Sequence, residues 1–271
     1  SKGDAISTTS ELVKISSDGN LGLEEGQKFE RGGIYRFTVD VTKGNTKAVL
    51  TVEKVGKVDL PAPDIFFGND KMEVTDTDIY KSEQVFTQGQ MITVTGIDNL
   101  NEWWIDPDFF EKQSDGALKF LPINGDYRVT ANAVLKYFSV MALKDGKPAK
   151  LQDDGTGAIW AIGKGIGKPS VASSEVGWEP GKALCLAQVA PKKYQLTLKA
   201  GETLKTSGDP EVISFKFFHQ NDWGGEFGNY ANSILVEQLK LADSGNLEMQ
   251  DNKAFEELSL IHISEPTRLR R

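Results

Sequence analysis

The segment Ile34-Tyr-Arg-Phe-Thr-Val-Asp-Val41 sets Tyr35, Phe37, Val39 and Val41 on one side of the chain and Arg36, Thr38 and Asp40 on the other. A period of two marks a strand with one buried face, and Lys43-Gly-Asn45 turns this strand back into Ala48–Val52 as a hairpin. Short runs rich in β-branched and aromatic residues recur to the end of the chain: Gln90–Gly96, Gly125–Ala131, Tyr137–Leu143, Ala158–Gly163, Leu184–Val189, Tyr194–Leu198, Ile213–Phe218 and Ser233–Leu241. No stretch carries the caps and 3.6-residue period of an amphipathic helix, and Pro107–Lys112 offers at most one short turn. Many short strands between Gly, Asn and Asp turns predict an all-β fold of tandem immunoglobulin-like β-sandwiches.

Punctuation divides the chain. Gly56-Lys-Val-Asp-Leu-Pro-Ala-Pro63 cannot continue a ladder through two prolines and reads as a linker over 57–63. The polar, glycine-rich Lys144–Gly157 marks a second boundary. The expected units are 1–56, the tail of one sandwich; 64–150, an immunoglobulin-like sandwich; and 158–257, a further sandwich. A repeat links the ends: Ser17–Glu30 aligns without gaps on Asp243–Glu256 at an offset of 226, with identities at Gly19/Gly245, Asn20/Asn246, Leu21/Leu247, Phe29/Phe255 and Glu30/Glu256. Turn and core positions are where a shared backbone demands identity. The expectation is a row of modules, with one cut at the front and the last cut before the continuation that Gly32–Val52 supplies to the first. The final segment, Leu258–Arg271, contains the string Leu258-Ser-Leu-Ile-His-Ile-Ser-Glu-Pro-Thr-Arg268, which resembles the translation of a sequencing-library transposon adapter. Native sequence is expected to end near Glu257, as at the edge of a metagenomic fragment.

Charge and rare residues narrow the function. The 271 residues carry 31 basic and 39 acidic side chains, net −8; setting aside Arg268, Arg270, Arg271 and Glu265 deepens this to −10. The basic excess that neutralises phosphates is missing, so a nucleic acid partner is not expected. A single cysteine and two histidines provide neither a disulfide framework nor a thiolate or histidine metal set, so no cofactor and no metal are expected. No run approaches the roughly 18 apolar residues that span a bilayer.

Chemical motifs fail on inspection. Gly163-Lys-Gly-Ile-Gly-Lys168 lacks the Walker spacing, and Pro169 follows it, so a flexible loop after a strand is expected. Nucleophilic catalysis needs a histidine base, and His219, the one outside the tail, sits at a strand end. Cys185 alternates with Leu184 and Leu186 as a small inert thiol. Asp106, Asp108 and Glu111 form a conceivable calcium set without the EF-hand glycine or spacing. The acids beside Trp223 (Asp222, Glu226) and those after Trp103-Trp104 are not placed by sequence at a glycosidase separation. An enzyme is therefore not expected; a hydrolase or its accessory remains a distant alternative.

The aromatics are more informative. Trp160 and Trp104 have apolar neighbours and read as core. Trp178, in Val176-Gly-Trp-Glu-Pro-Gly181, and Trp223, in Gln220-Asn-Asp-Trp-Gly-Gly225, lie in polar turns with little apolar surface to bury against. Sugars present a C–H face and a hydroxyl rim, which flat aromatics beside Lys216, Asn221 and Asp222 would match. The order Ile159-Trp-Ala-Ile-Gly163, Gly167-Lys-Pro169, Gly177-Trp178, Lys182-Ala-Leu184, Lys193–Leu198, Phe215-Lys-Phe217 and Trp223-Gly-Gly225 resembles the SusE/SusF-type starch-binding outer-membrane lipoproteins over about a hundred residues. The middle segment, with Trp103-Trp-Ile-Asp-Pro-Asp108 and Gly125–Asn132, resembles the immunoglobulin-like domain of lipoproteins that accompany them. The resemblance implies a starch-binding-type sandwich at 158–257 and a non-catalytic protein at the outer-membrane surface. Its implied partners are a polysaccharide or oligosaccharide and a TonB-dependent transporter, with the membrane reached only through an N-terminal lipid anchor outside this sequence. It carries the glycan site to Trp178, Trp223, Lys216 and Asn221, with Trp103 as a secondary candidate. A spacer or protein-docking module without glycan binding is the alternative.

Overall fold

The computed structural model describes residues 6–17, 19–60, 62–76, 78–206, 212–227, 237–251, 253–255 and 260–264. The expected strand start at Ser233 and the Glu256 half of the repeat lie outside them. Its regular secondary structure is nearly all strand, and the chain divides into two compact units, Ser1–Pro63 and Asp64–Arg271.

The first unit contains β1 (Ser7–Thr8), β2 (Val13–Ile15), β3 (Leu21–Leu23), β4 (Gly33–Asp40) and β5 (Val49–Lys57). The expected hairpin forms: β4 and β5 pair from Gly33↔Lys57 to Asp40↔Val49, and β1 adds to β5 in parallel. A small core gathers Val13, Leu50 and Val52 with Ile6, Leu12, Ile15 and Tyr35. The alternation in β4 does not produce the expected buried face. Phe37, Val39 and Val41 are exposed, because alternation selects a side of the strand and only a second layer across that side can bury it.

The second unit begins with β6 (Phe66–Phe67), β7 (Asp70–Lys71), β8 (Glu73–Asp76), β9 (Ile79–Phe86), β10 (Met91–Ile92), β11 (Val94–Thr95), β12 (Trp104–Ile105), β13 (Phe110–Lys112), β14 (Leu118–Phe120), β15 (Gly125–Asn132), β16 (Tyr137–Lys144) and β17 (Lys147–Pro148). One sheet runs β12-β16-β15-β9-β8, with β17 on β16. It faces two short sheets, β10-β14-β13 and β11-β6-β7. The run Gln90–Gly96 is divided at Thr93, because β10 pairs with β14 while β11 pairs with β6; the chain changes sheets there, a corner typical of sandwiches. The filling is aromatic: Phe67, Phe86, Phe110, Phe120 and Phe138 are fully buried, with edge contacts such as Phe67–Phe138 at 5.3 Å. Tyr127 joins them and donates its hydroxyl to Ile123 O at 2.9 Å, so its polar end is satisfied.

The remaining elements are β18 (Trp160–Lys164), a one-turn helix α1 (Val171–Ser174), β19 (Leu184–Cys185), β20 (Ala187–Ala190), β21 (Lys193–Lys199), β22 (Ser214–Phe218), β23 (Leu239–Leu241), β24 (Leu247–Met249) and β25 (Leu260–Ser264). They form sheets β19-β18-β22-β24-β23 and β20-β21-β25. Gly163 lets β18 approach β22, since a Cβ there would stand 2.3 Å from Phe215 Cα. Trp160 is buried, and its indole N–H donates to Ala149 O at 3.0 Å. Residues 144–157 therefore run between two sandwiches that share one continuous core, rather than between separate bodies.

The repeat reappears as matched geometry. β2 and β3 pair Val13↔Leu23, Lys14↔Gly22 and Ile15↔Leu21. Adding 226 to each number gives Leu239↔Met249, Lys240↔Glu248 and Leu241↔Leu247, the pairs of β23 and β24. The turn bonds follow the same offset: Ser16 N–H to Asn20 O and Gly19 N–H to Ser16 O match Ala242 N–H to Asn246 O and Gly245 N–H to Ala242 O. Beyond the strands, Glu24 N–H to Leu12 O and Gln27 N–H to Glu24 O match Gln250 N–H to Gln238 O and Lys253 N–H to Gln250 O. Gly19 and Gly245 take φ of 79° and 80°, the left-handed conformation that glycine adopts without steric cost.

Candidate functional site

Two loops of the last sandwich bring Trp178 and Trp223 together. The Gly177-Trp178 turn is anchored by Gly177 N–H to Gly163 O at 2.9 Å, at the end of β18. Trp178 itself has φ 60°, a left-handed conformation costly for a bulky residue; its ring packs partly buried against the core. The Trp223 loop leaves β22 and is closed by His219 N–H to Gly225 O at 2.8 Å, Trp223 N–H to Asp222 Oδ1 at 2.8 Å and Gln220 Nε2 to Trp223 O at 2.6 Å. β18 and β22 are antiparallel neighbours with Gly163 opposite Phe215 and Trp160 opposite Phe218, so the two turns start from opposite ends of the pair and their side chains meet between them. The indole rings lie 6.3 Å apart at 19°, and Phe218 supports Trp223 edge-on at 6.0 Å. Trp223 remains 50% exposed.

Lys216 is half-buried in the middle of β22, opposite Ile162; a period of two puts it on the same face as Phe218. Asn221, in the Trp223 loop, has a buried Oδ1 with no hydrogen-bond partner among the described residues. Trp103 is not part of this face. It is buried and stacks on Phe138 at 4.7 Å and 23°, which leaves no ring surface for a ligand. Trp104, expected in the core, is half-buried. His219 stands edge-on to Phe227 at 4.3 Å. Cys185 is buried, and burial pushes its thiol up to about 12, so thiolate chemistry is suppressed.

The flexible loop expected at Gly163–Lys168 and the conceivable calcium set of Asp106, Asp108 and Glu111 give way to a buried ion cluster of Lys168 with Asp106 and Asp108. Lys168 Nζ lies 2.9 Å from both oxygens of Asp106 and 2.8 Å from Asp108 Oδ2. Thr197 N–H donates to Asp108 Oδ2 at 2.6 Å, and Thr197 Oγ1 and Gln195 Nε2 donate to Asp108 Oδ1 at 2.5 and 2.8 Å. Burial pushes the Asp106 carboxyl up. Burial works on Asp108 in the same sense, but the Lys168 charge and the Lys168 and Thr197 hydrogen bonds outweigh it and hold that carboxyl low. Burial alone would lower Lys168, and the two aspartates reverse this and raise it. The acids come from the middle sandwich and their partners from the last, so the cluster ties the two together. The segment is pinned, not flexible. Its sequence signal is two aspartates flanking Pro107 inside a run of aromatics, a setting in which ionised acids need a buried cation.

Among the described residues, no group of three or more His, Cys, Asp or Glu is placed to hold a metal ion, and no helix is long and apolar enough to cross a membrane. An open concavity on the middle sandwich, lined in part by Lys71, Glu73, Lys81 and Glu83, lies on a different sandwich from the tryptophans. Its Lys81 is engaged by Glu73 at 3.8 Å and Glu83 at 3.5 Å.

Comparison with known proteins assigns a family rather than an activity. A sequence comparison with curated proteins returns no match. The crystal structure of SusF from Bacteroides thetaiotaomicron is similar over 93% of this chain at 15% identity, with a TM-score of 0.26. The alignment covers 61% of that chain, and a likeness of this size assigns neither fold nor ligand. Residues 58–151 match a domain of unknown function (DUF5125). Another domain of unknown function (DUF5121) matches twice, over residues 1–42 and 154–263, so it covers both copies of the repeated hairpin and runs past Glu257. With more than half of its residues in that match, this chain belongs to the DUF5121 family.

Proposed function

We propose that the Trp178–Trp223 face binds a neutral polysaccharide or oligosaccharide without cleaving it. The observation that carries this reading is the near-parallel pair of indoles, 6.3 Å apart, delivered by two glycine-bounded turns with Trp223 half in solvent. The exposed part of an indole matches the C–H face of a pyranose. The Asn221 Oδ1 is an acceptor without a donor, and burying it unsatisfied costs about 1–3 kcal/mol; a ligand hydroxyl would remove that cost. Lys216 on the supporting strand is the candidate cationic donor.

An aromatic contact contributes about 0.5–1.5 kcal/mol beyond its buried area, so one shallow site gives a Kd of about millimolar, roughly −4 kcal/mol. Several such modules on one polymer raise avidity by about 10²–10⁴. The sequence resemblance to SusE/SusF-type lipoproteins extends the reading to a protein lipid-anchored at the outer-membrane surface, holding glycan for a TonB-dependent transporter.

Affinity electrophoresis through a panel of neutral polysaccharides tests the reading. Retardation by at least one polymer, unaffected by salt and lost in the Trp178→Ala/Trp223→Ala double variant, is the expected result. Retardation that survives the double variant moves the site elsewhere. No retardation across the panel favours the spacer or docking role, which the rigid ion-locked junction between the two sandwiches would also suit. Release of reducing ends would overturn the non-catalytic part.

A further inference from the structure

The Trp223 loop is held in two different ways. Its stem is bonded to the sheet and its neighbour: His219 N–H donates to Gly225 O at 2.8 Å, Phe227 N–H to Phe217 O at 3.0 Å and Leu151 N–H to His219 O at 2.8 Å, and Phe218 bridges to Glu226. Its tip is bonded only to itself. Over residues 220–224 the hydrogen bonds are Trp223 N–H to Asp222 Oδ1 and Gln220 Nε2 to Trp223 O, and among the described residues none reaches another element. The contacts that tie the tip to the body are aromatic, from Trp223 to Trp178 and to Phe218.

This closed tip does not suit a sugar in two respects. Centroids 6.3 Å apart at 19° fall in the range of about 4.5–7 Å for rings in mutual contact, so the facing sides of the indoles cover each other and leave no room for a pyranose between them. Asn221 Oδ1 is buried as well as unpartnered, so a hydroxyl reaches it only when the tip lifts. Trp178 is the fixed half of the contact, because its turn is pinned to Gly163 O and its ring packs on the core. Trp223 is the half that can move, and Gly224 and Gly225, at φ 85° and 70°, form the hinge where tip meets stem. We propose that Trp178 is a positioning residue, a latch that holds the Trp223 loop closed by stacking, and that Trp223 is the ring that stacks on a sugar once the loop lifts. Lifting frees the Trp223 face that Trp178 covers and lets a sugar hydroxyl donate to Asn221 Oδ1. Binding then draws on the open fraction of molecules, so the latch sets the apparent affinity. The latch itself needs no ligand; the identity of what opens it rests on the glycan reading.

The experiment is fluorine NMR of the full chain labelled with fluorotryptophan, in the parent and in Trp178→Gly, a residue that suits the φ of 60°. The Trp223 resonance, assigned by its loss in Trp223→Phe, is expected to move to a solvent-exposed position, while those of buried Trp103 and Trp160 stay and report an intact fold. Trp178→Leu keeps apolar bulk against the core without a ring to stack, and is read in the same way should glycine loosen the turn. Titration with soluble starch, galactomannan and xyloglucan as probes is expected to show at least one polymer binding the Trp178 variants about two- to tenfold more tightly than the parent, the factor that one aromatic contact supplies. A Trp223 resonance that stays in place in both variants overturns the latch. Affinity unchanged or weakened makes Trp178 a second sugar platform and overturns it as well. A moved resonance with no polymer bound supports the latch and overturns the glycan reading of these probes.

Discussion

The hairpin at 13–23 and the hairpin at 239–249 have the same register, the same turn bonds and nearly the same glycine φ. Only the second is buried. Local sequence therefore suffices to build the hairpin, and a neighbouring strand and an opposing layer decide whether its apolar side chains leave water. The contrast also separates two kinds of energy. Turn geometry is intrinsic to the segment, whereas burial belongs to the pair of elements that meet.

The comparison is broken most severely by unlocking the packed side. Lys168→Met leaves Asp106 and Asp108 buried without a cation, and removing one partner of such a cluster costs about 3–5 kcal/mol. A denaturation midpoint well below that of the parent, with the first unit unaffected, is the expected outcome. The pH dependence has a definite sign. In the parent, Asp108 is held low by Lys168 and Thr197, so its contribution is present above the unfolded aspartate range near pH 4 and lost as pH falls through the lower folded value. In Lys168→Met both carboxyls are raised above their unfolded values, the folded state binds protons more tightly, and stability relative to the parent improves on acidification from pH 7 toward 4. A deficit independent of pH would contradict the cluster.

The matched leucines sharpen the comparison. Leu247→Ala removes a core side chain and should cost about 2–5 kcal/mol. Leu21→Ala should stay within about 0.5 kcal/mol, as exposed substitutions do. Equal costs in urea titrations would mean that the two environments are alike. The smallest difference between the two copies is expected at the turns, where the comparison predicts equality. Gly19→Ala and Gly245→Ala each force a Cβ into the left-handed region at about 1–2 kcal/mol, and amide exchange of the two hairpins should report the same loss for both.

Much of this was legible beforehand. Alternation located the strands, the 226-residue offset located the repeated hairpin, and the polar turns around Trp178 and Trp223 marked them apart from Trp160. Other features were hidden for physical reasons. Lys168 sits in a glycine-rich stretch that resembles a surface loop, and its partners lie some 60 residues earlier, so no local pattern pairs them. Trp103 and Trp178 have similarly mixed neighbours, yet one stacks on Phe138 in the core and the other on Trp223. That depends on which strands cross.

Sequence alone determined which residues alternate, where the chain turns, the all-β class, the net acidic charge and the single cysteine. These follow from covalent and local constraints that each residue carries with it. Tertiary structure alone decided that Lys168 neutralises two aspartates, that Trp178 and Trp223 face each other, and that Leu247 is dry while Leu21 is wet. Charge pairing, ring stacking and the exclusion of water are properties of two surfaces in contact, and a strand acquires them only when another element lies across from it.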